Sequence, residues 1–133
     1  GKAFLNVDFS GKDLNGADFE NCKFYHCTFD NASLVNCNLQ NALFSNCSLY
    51  NVTAEEAELQ NARFFSCNLA KAFFTHSNFK EAVLKSCQTT SSSFMNCCIQ
   101  NIALEETDLP NDKMFDSELD WIKNDIPDFE PNM

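Results

Sequence analysis

The chain lacks any apolar run near the roughly 20 residues that a membrane-spanning helix needs, so no membrane partner is expected. Positive charge is also scarce, with nine Lys and Arg against nineteen Asp and Glu. Because nonspecific binding to nucleic acid depends on bases that neutralise phosphates, we expect no nucleic-acid partner either.

Catalytic motifs are missing as well. The 133 residues include two His and three Gly, and they contain no Ser/His/Asp set, glycine-rich phosphate loop or H-E-x-x-H motif. Glu55, Glu56 and Glu58 cluster without a partner base, which favours a solvated corner over an active site. We therefore expect no enzyme, no cofactor and no metal site.

The acidic charge is unevenly distributed. Residues 105–133 contain ten acidic residues and two Lys, a formal charge of −8. Residues 1–104 contain nine acidic residues and seven bases, a formal charge of −2. The body of the chain is thus nearly neutral, and its C-terminal part is strongly acidic.

What is present is a five-residue period. Every fifth residue from Phe4 to Leu109 is large and apolar, except at Ala54 and Thr89. A small or β-branched residue comes two positions earlier, and Asn is common three positions earlier. Five residues advance an α-helix by about 140°, and a straight strand would alternate faces, so neither element keeps this set together. The chain must bend once per repeat, where Asn and Gly tolerate turn conformations.

The pattern resembles the pentapeptide-repeat family, whose repeat reads approximately A-(D/N)-L-x-x. The segments that match it most directly are Ala17-Asp18-Phe19, Cys37-Asn38-Leu39, Cys67-Asn68-Leu69 and Ser77-Asn78-Phe79. The resemblance implies an all-β solenoid, a right-handed quadrilateral β-helix with four repeats per coil. The 22 repeats between Phe4 and Leu109 would then make about five and a half coils within residues 1–110.

Four positions depart from the pattern. Lys2 and Lys12 occupy the place of a small inward residue, which predicts an imperfect or frayed first coil. Ala54 and Thr89 replace large core residues, which predicts a looser wall there, without a domain boundary.

The end of the chain predicts a cap. Pro110 breaks the repeat, Asn111 or Asp112 can begin a helix, and Pro127 ends it. The predicted helix covers residues 111–126, before an acidic tail at 127–133, and its apolar face contains Phe115, Leu119, Ile122 and Ile126. We expect it to cover the open end of the solenoid, with dimerisation as the alternative role.

Eight cysteines need an explanation, and all but Cys98 occupy the small inward position. A period of 20 stacks four of them in one column, Cys27, Cys47, Cys67 and Cys87. Parallel side chains leave the Cβ atoms farther apart than a disulfide prefers, so we interpret them as free thiols that act as small hydrophobic residues. Free thiols favour a reducing, cytoplasmic location, whereas three sequons, at Asn31, Asn46 and Asn51, weakly favour the opposite.

One outward face gathers large apolar side chains and bases. We predict it as a protein-binding surface, against the alternative of scattered surface residues, and it comprises Lys23, Tyr25, Leu43, Arg63, Phe65, Val83 and Lys85. Its bases favour an acidic partner, and the acidic tail of a second copy, in a homodimer, is one candidate.

These observations predict a non-enzymatic scaffold protein that mediates protein–protein interaction through this face. The resemblance also implies an alternative, because some pentapeptide-repeat proteins mimic DNA and inhibit or protect gyrase. A charge of only −2 on residues 1–104 argues against mimicry along the rod.

Overall fold

The computed structural model describes residues 1–110, which form a parallel β-solenoid of five full coils and the start of a sixth. One wall is a six-stranded sheet in chain order, and neighbouring strands pair at an offset of twenty residues. Its strands are β1 (Ala3–Leu5), β2 (Lys23–Tyr25), β3 (Leu43–Ser45), β4 (Arg63–Phe65), β5 (Val83–Lys85) and β6 (Ala103–Glu105). The predicted quadrilateral β-helix is confirmed.

The other three walls stack in the same register through single parallel bridges. Examples from the first coil are Asp8 with Thr28, Asp13 with Ser33, and Asp18 with Asn38. Hydrogen bonds between coils satisfy the backbone, as where the Leu43 amide donates to the Cys22 carbonyl at 2.9 Å. Every wall thus places a residue directly over the one twenty positions earlier.

The corners explain the preference for Asn. Every fifth residue from Asn6 to Glu106 has a positive φ, between 50° and 75°. This left-handed region is costly for most L-residues, and Asn and Gly enter it most easily. The Asn of each repeat therefore occupies a corner at which the chain turns into the next wall.

The interior is built from columns of identical or similar side chains. Phe4, Phe24, Phe44 and Phe64 stack with successive ring centroids 5.1, 4.9 and 4.7 Å apart. The last three of these rings are fully buried, as are small inward residues such as Ala42. Burial of this apolar surface is the main force that holds the coils together.

The first coil differs from its prediction. It keeps the full register, and the Lys2 carbonyl accepts a hydrogen bond from the Lys23 amide at 2.8 Å. The expectation of a frayed coil was wrong, because Lys2 and Lys12 expose their side chains to solvent while the backbone ladder continues beneath them.

The looser wall expected at Ala54 is also absent. Ala54 is fully buried, and its carbonyl accepts a 2.6 Å hydrogen bond from the hydroxyl of the buried Ser77. That hydroxyl also accepts a hydrogen bond from the Ala57 amide at 3.0 Å, so the Ser77 side chain ties the backbone at Ala54 to the backbone at Ala57. Thr89 is only half-buried, and its hydroxyl donates to the Asp108 carbonyl. Of the two replaced core positions, only Thr89 is partly exposed.

The predicted helix 111–126, with Phe115, Leu119, Ile122 and Ile126, and the tail 127–133 lie outside the described residues. The last described coil ends with Leu104 half-buried and Leu109 buried.

The corner geometry generates a stability prediction at Asn41, whose φ is 61°. Asn41→Val should lower the free energy of unfolding by about 1–3 kcal/mol, because a β-branched residue is strained at positive φ. Asn41→Gly should change it far less, since Gly adopts this conformation freely. Thermal unfolding followed by circular dichroism measures both, and equal melting temperatures for the two variants would contradict the strain argument.

Candidate protein-binding face

The six-stranded wall brings all seven predicted surface residues together. Its register forms two outward rows, and we call this surface the strand face. The first row is Ala3, Lys23, Leu43, Arg63, Val83 and Ala103, and the second is Leu5, Tyr25, Ser45, Phe65, Lys85 and Glu105. The backbone ladder alone places these side chains side by side.

Burial divides the strand face into two kinds of side chain. Leu43 and Val83 in the first row, and Tyr25 and Phe65 in the second, are half-buried. The three bases, Lys23, Arg63 and Lys85, are exposed. Apolar side chains thus lie low between stacked neighbours, and the cationic groups reach farther into solvent.

One of the three bases has an acidic neighbour. Lys85 Nζ lies 3.8 Å from Glu105 Oε1, and both side chains are about half exposed or more, at 49% and 63%. Part of the positive charge of the face is therefore offset at Lys85. Within residues 1–110, Lys23 and Arg63 have no carboxylate within ion-pair distance. Their charge remains available to an acidic partner.

None of the three large apolar side chains that are exposed in residues 1–110 was in the predicted set. Leu5, at 65% exposure, begins the second row of the strand face, and the spacing of twenty from Tyr25 could have identified it. Phe73 and Met95, at 47% and 39%, are exposed on another wall, where Phe73 bridges to Thr53 and Ser93. The other residues of the two rows that contain Phe73 and Met95 are mostly polar.

A groove runs along the corner next to the strand face. Its volume is about 570 Å³, and Cys27, Cys47 and Cys67 line it beside the corner residues His26, Asn46, Ser66 and Ser86. Cys87 continues the same column, and we call these four cysteines the thiol column. All four are buried free thiols, as the sequence predicted.

The sulfurs of the thiol column have hydrogen-bond partners at equivalent positions of successive coils. Cys47 Sγ donates to the Phe24 carbonyl at 3.3 Å, and Cys67 Sγ donates to the Phe44 carbonyl at 3.3 Å. Interaction with the Cys47 and Cys87 thiols, together with burial, raises the pKa of Cys67. Interaction with Cys67 lowers the pKa of Cys47 and of Cys87.

The glutamates of the cluster and His76 are exposed. Glu56, Glu58 and His76 surround a shallow depression, and Asn96 Nδ2 lies 3.2 Å from His76 Nε2. Within residues 1–110, no group of three or more His, Cys, Asp and Glu side chains is arranged to hold a metal ion.

Two family models each match more than half of the chain. The model of the pentapeptide repeat region matches residues 3–74, so the chain belongs to the pentapeptide-repeat family. The model of the SV2A/B/C luminal domain matches residues 46–123, so the chain belongs to this luminal-domain family as well. The search of curated proteins gave no match.

The solved structures that match this chain include a pentapeptide-repeat protein and a fluoroquinolone resistance protein. A pentapeptide-repeat protein from the thylakoid lumen of Arabidopsis thaliana is 22% identical, with 88% of this chain and 78% of that chain covered and a TM-score of 0.37. QnrB1, a plasmid-mediated fluoroquinolone resistance protein, is 19% identical, with 79% and 83% covered and a TM-score of 0.38. At these values the likenesses carry no argument about function.

No helix within residues 1–110 has the length and apolar character that crossing a membrane requires.

Proposed function

We propose that this chain is a non-enzymatic scaffold that binds an acidic protein partner through the strand face. The observation that carries the proposal is the strict register of the wall, which aligns Leu43, Val83 and Phe65 with the unpaired cations Lys23 and Arg63. No other wall of the described residues combines apolar side chains and unpaired bases in this way.

Rigidity favours binding by this surface. Each row is anchored to a backbone that bonds to the coils above and below, as between the Arg63 amide and the Ala42 carbonyl at 2.9 Å. Side chains that are already ordered lose little conformational entropy when a partner binds. Aromatic residues and Arg also dominate interface energies more often than other types, which directs attention to Tyr25, Arg63 and Phe65.

Charge favours an acidic partner, and a suitable one occurs in the same sequence. Residues 105–133 carry a formal charge of −8, whereas the strand face holds two cations without acidic neighbours. We therefore propose a second copy of the chain as the partner, with the acidic segment of one copy against the strand face of the other.

The alternative function is DNA mimicry directed at gyrase. Mimicry requires acidic charge along the rod, and the formal charge of residues 1–104 is only −2. The supercoiling activity of purified gyrase should therefore be unchanged by the chain. Inhibition or protection at stoichiometric concentrations would contradict the scaffold proposal.

The compartment is a separate part of the proposal. A cytoplasmic location was predicted from free thiols, and the four cysteines of the column are buried, at 1–8% exposure. Membership of the SV2A/B/C luminal-domain family favours a lumen instead. All three sequon asparagines, Asn31, Asn46 and Asn51, are exposed at corners, where a glycosyltransferase could reach them.

The strand face predicts salt-sensitive self-association. The sedimentation coefficient of the full chain should rise with protein concentration at low salt and fall with added salt, because screening weakens exposed charge pairs. The variant Phe65→Ala, Arg63→Glu should remain monomeric, since it removes the central aromatic side chain and reverses the central charge.

A matched variant controls for the loss of an aromatic side chain and the reversal of a charge. Phe73→Ala, Lys80→Glu makes the same changes at exposed positions outside the strand face, so it should associate like the wild type. If the wild type is monomeric at every concentration, or if both variants associate equally, the strand face does not bind a second copy.

Glycosylation distinguishes the two compartments. If the protein resides in a lumen, peptide-N-glycosidase should reduce the apparent mass of the protein purified from its own cells, and each of Asn31→Gln and Asn51→Gln should remove one glycan. An unchanged mass would support the cytoplasmic location, because glycans are added to sequons only in the secretory pathway.

A further inference from the structure

The thiol column has a regularity that core packing does not require. Elsewhere the small inward position is filled mostly by Ala, as at Ala32, Ala62 and Ala72, and by Cys22, Cys37 and Cys97, none of which has a cysteine on an adjacent coil. In the thiol column, four consecutive coils place a sulfur at the same point, and a groove runs beside Cys27, Cys47 and Cys67. The column therefore brings sulfurs next to one another, which the isolated cysteines do not.

The sulfur atoms follow the spacing of the backbone. Each thiol donates to the carbonyl two residues earlier at 3.5 Å, so all four have the same orientation. The coils around them are tied by amide bonds such as Asn68 N to the Cys47 carbonyl at 3.0 Å. Identically oriented sulfurs on stacked strands lie about 4.7–4.9 Å apart, the distance between neighbouring strands.

This spacing fits a bridging ion better than a disulfide. A disulfide needs an S–S distance of about 2.05 Å and Cβ atoms about 3.8 Å apart, so the strands would have to move together. A zinc–thiolate bond is about 2.3 Å long, so two collinear bonds of similar length span about 4.6 Å, close to the spacing of the strands. An ion with two collinear thiolate ligands therefore fits between adjacent coils without displacing the backbone.

The number of ligands decides which ion is suitable. Zinc in proteins takes four ligands, and no group of three or more candidate ligands occurs within residues 1–110. Thiolates are soft ligands that select Cu(I), a d¹⁰ ion that accepts two collinear sulfurs. The groove beside Cys27, Cys47 and Cys67 gives such an ion a path from solvent.

We propose that the thiol column is a binding site for a soft monovalent cation, Cu(I), held between Cys47 and Cys67 as a linear bis-thiolate. The two thiols release two protons, and the bound unit carries one negative charge. Cys27 and Cys87, one coil below and one coil above, remain protonated. The site is independent of the strand face and of self-association.

The test is a titration of the full reduced chain with Cu(I) under anaerobic conditions, in competition with the chromogenic chelator bicinchoninate. We expect stoichiometric binding, with Cu–S scattering from two sulfurs and no nitrogen in X-ray absorption. Affinity should rise about a hundredfold per pH unit while both thiols are protonated in the free protein, once the protonation of the chelator is corrected for. Zn(II) should not bind at equal concentration.

Variants assign the site to the central pair. Cys47→Ala, Cys67→Ala should abolish binding, whereas Cys27→Ala, Cys87→Ala should retain it. Cys37→Ala is the matched control, because Cys37 is equally buried and also donates to a carbonyl, that of Leu14 at 3.0 Å, but has Ala17 and Ala57 as its column neighbours. Circular dichroism verifies that each variant is folded. We expect all of them to fold, because Ala already fills the same inward position in other repeats.

The proposal is overturned if the wild type does not compete with the chelator for Cu(I). It is also overturned if the folded Cys47→Ala, Cys67→Ala variant binds as the wild type does, or if Cys37→Ala loses binding to the same degree. Retention by Cys27→Ala, Cys87→Ala together with loss in the central double variant confirms it.

Discussion

The structure depends on one constraint, the hydrogen-bonded register of each residue with the residue twenty positions later. Parallel pairing holds on all four walls, by strands on one and by single bridges on the others. This register can persist only if every coil has the same length and turns at the same places. A left-handed residue at every fifth position meets that condition, and most of these corners are Asn or Gly.

The same register converts a linear pattern into columns and rows. In the interior it stacks Phe24, Phe44 and Phe64 at ring separations of 4.9 and 4.7 Å, and the resulting core is continuous along the rod. On the outside it aligns side chains that are twenty residues apart. A flat surface with fixed rows can recognise another rigid or extended chain.

Irregular positions show how much deviation the register tolerates. The buried Ser77 hydroxyl satisfies two backbone groups near Ala54, so a small residue in a large-residue column leaves the coil intact. Lys2 and Lys12 likewise place a charge where a small residue is expected, and the ladder of the first coil persists. Side-chain substitutions are therefore absorbed locally, because each coil is tied to its neighbours by many backbone hydrogen bonds.

The sequence by itself determined the five-residue repeat and which residues point inward, because a strict period leaves one register. Four walls, and with them the rows of the strand face apart from Leu5, followed from the resemblance to the pentapeptide-repeat family, so the sequence did not determine them by its period alone. It could not determine how far each outward side chain is covered. Tertiary structure decided that Tyr25 and Phe65 are half-buried, that Leu5 is the most exposed of the large apolar side chains described, and that Lys85 has Glu105 as a neighbour. It also placed the groove beside the thiol column. These properties depend on side-chain conformations and on contacts between coils, and a one-dimensional period specifies only which residues become neighbours.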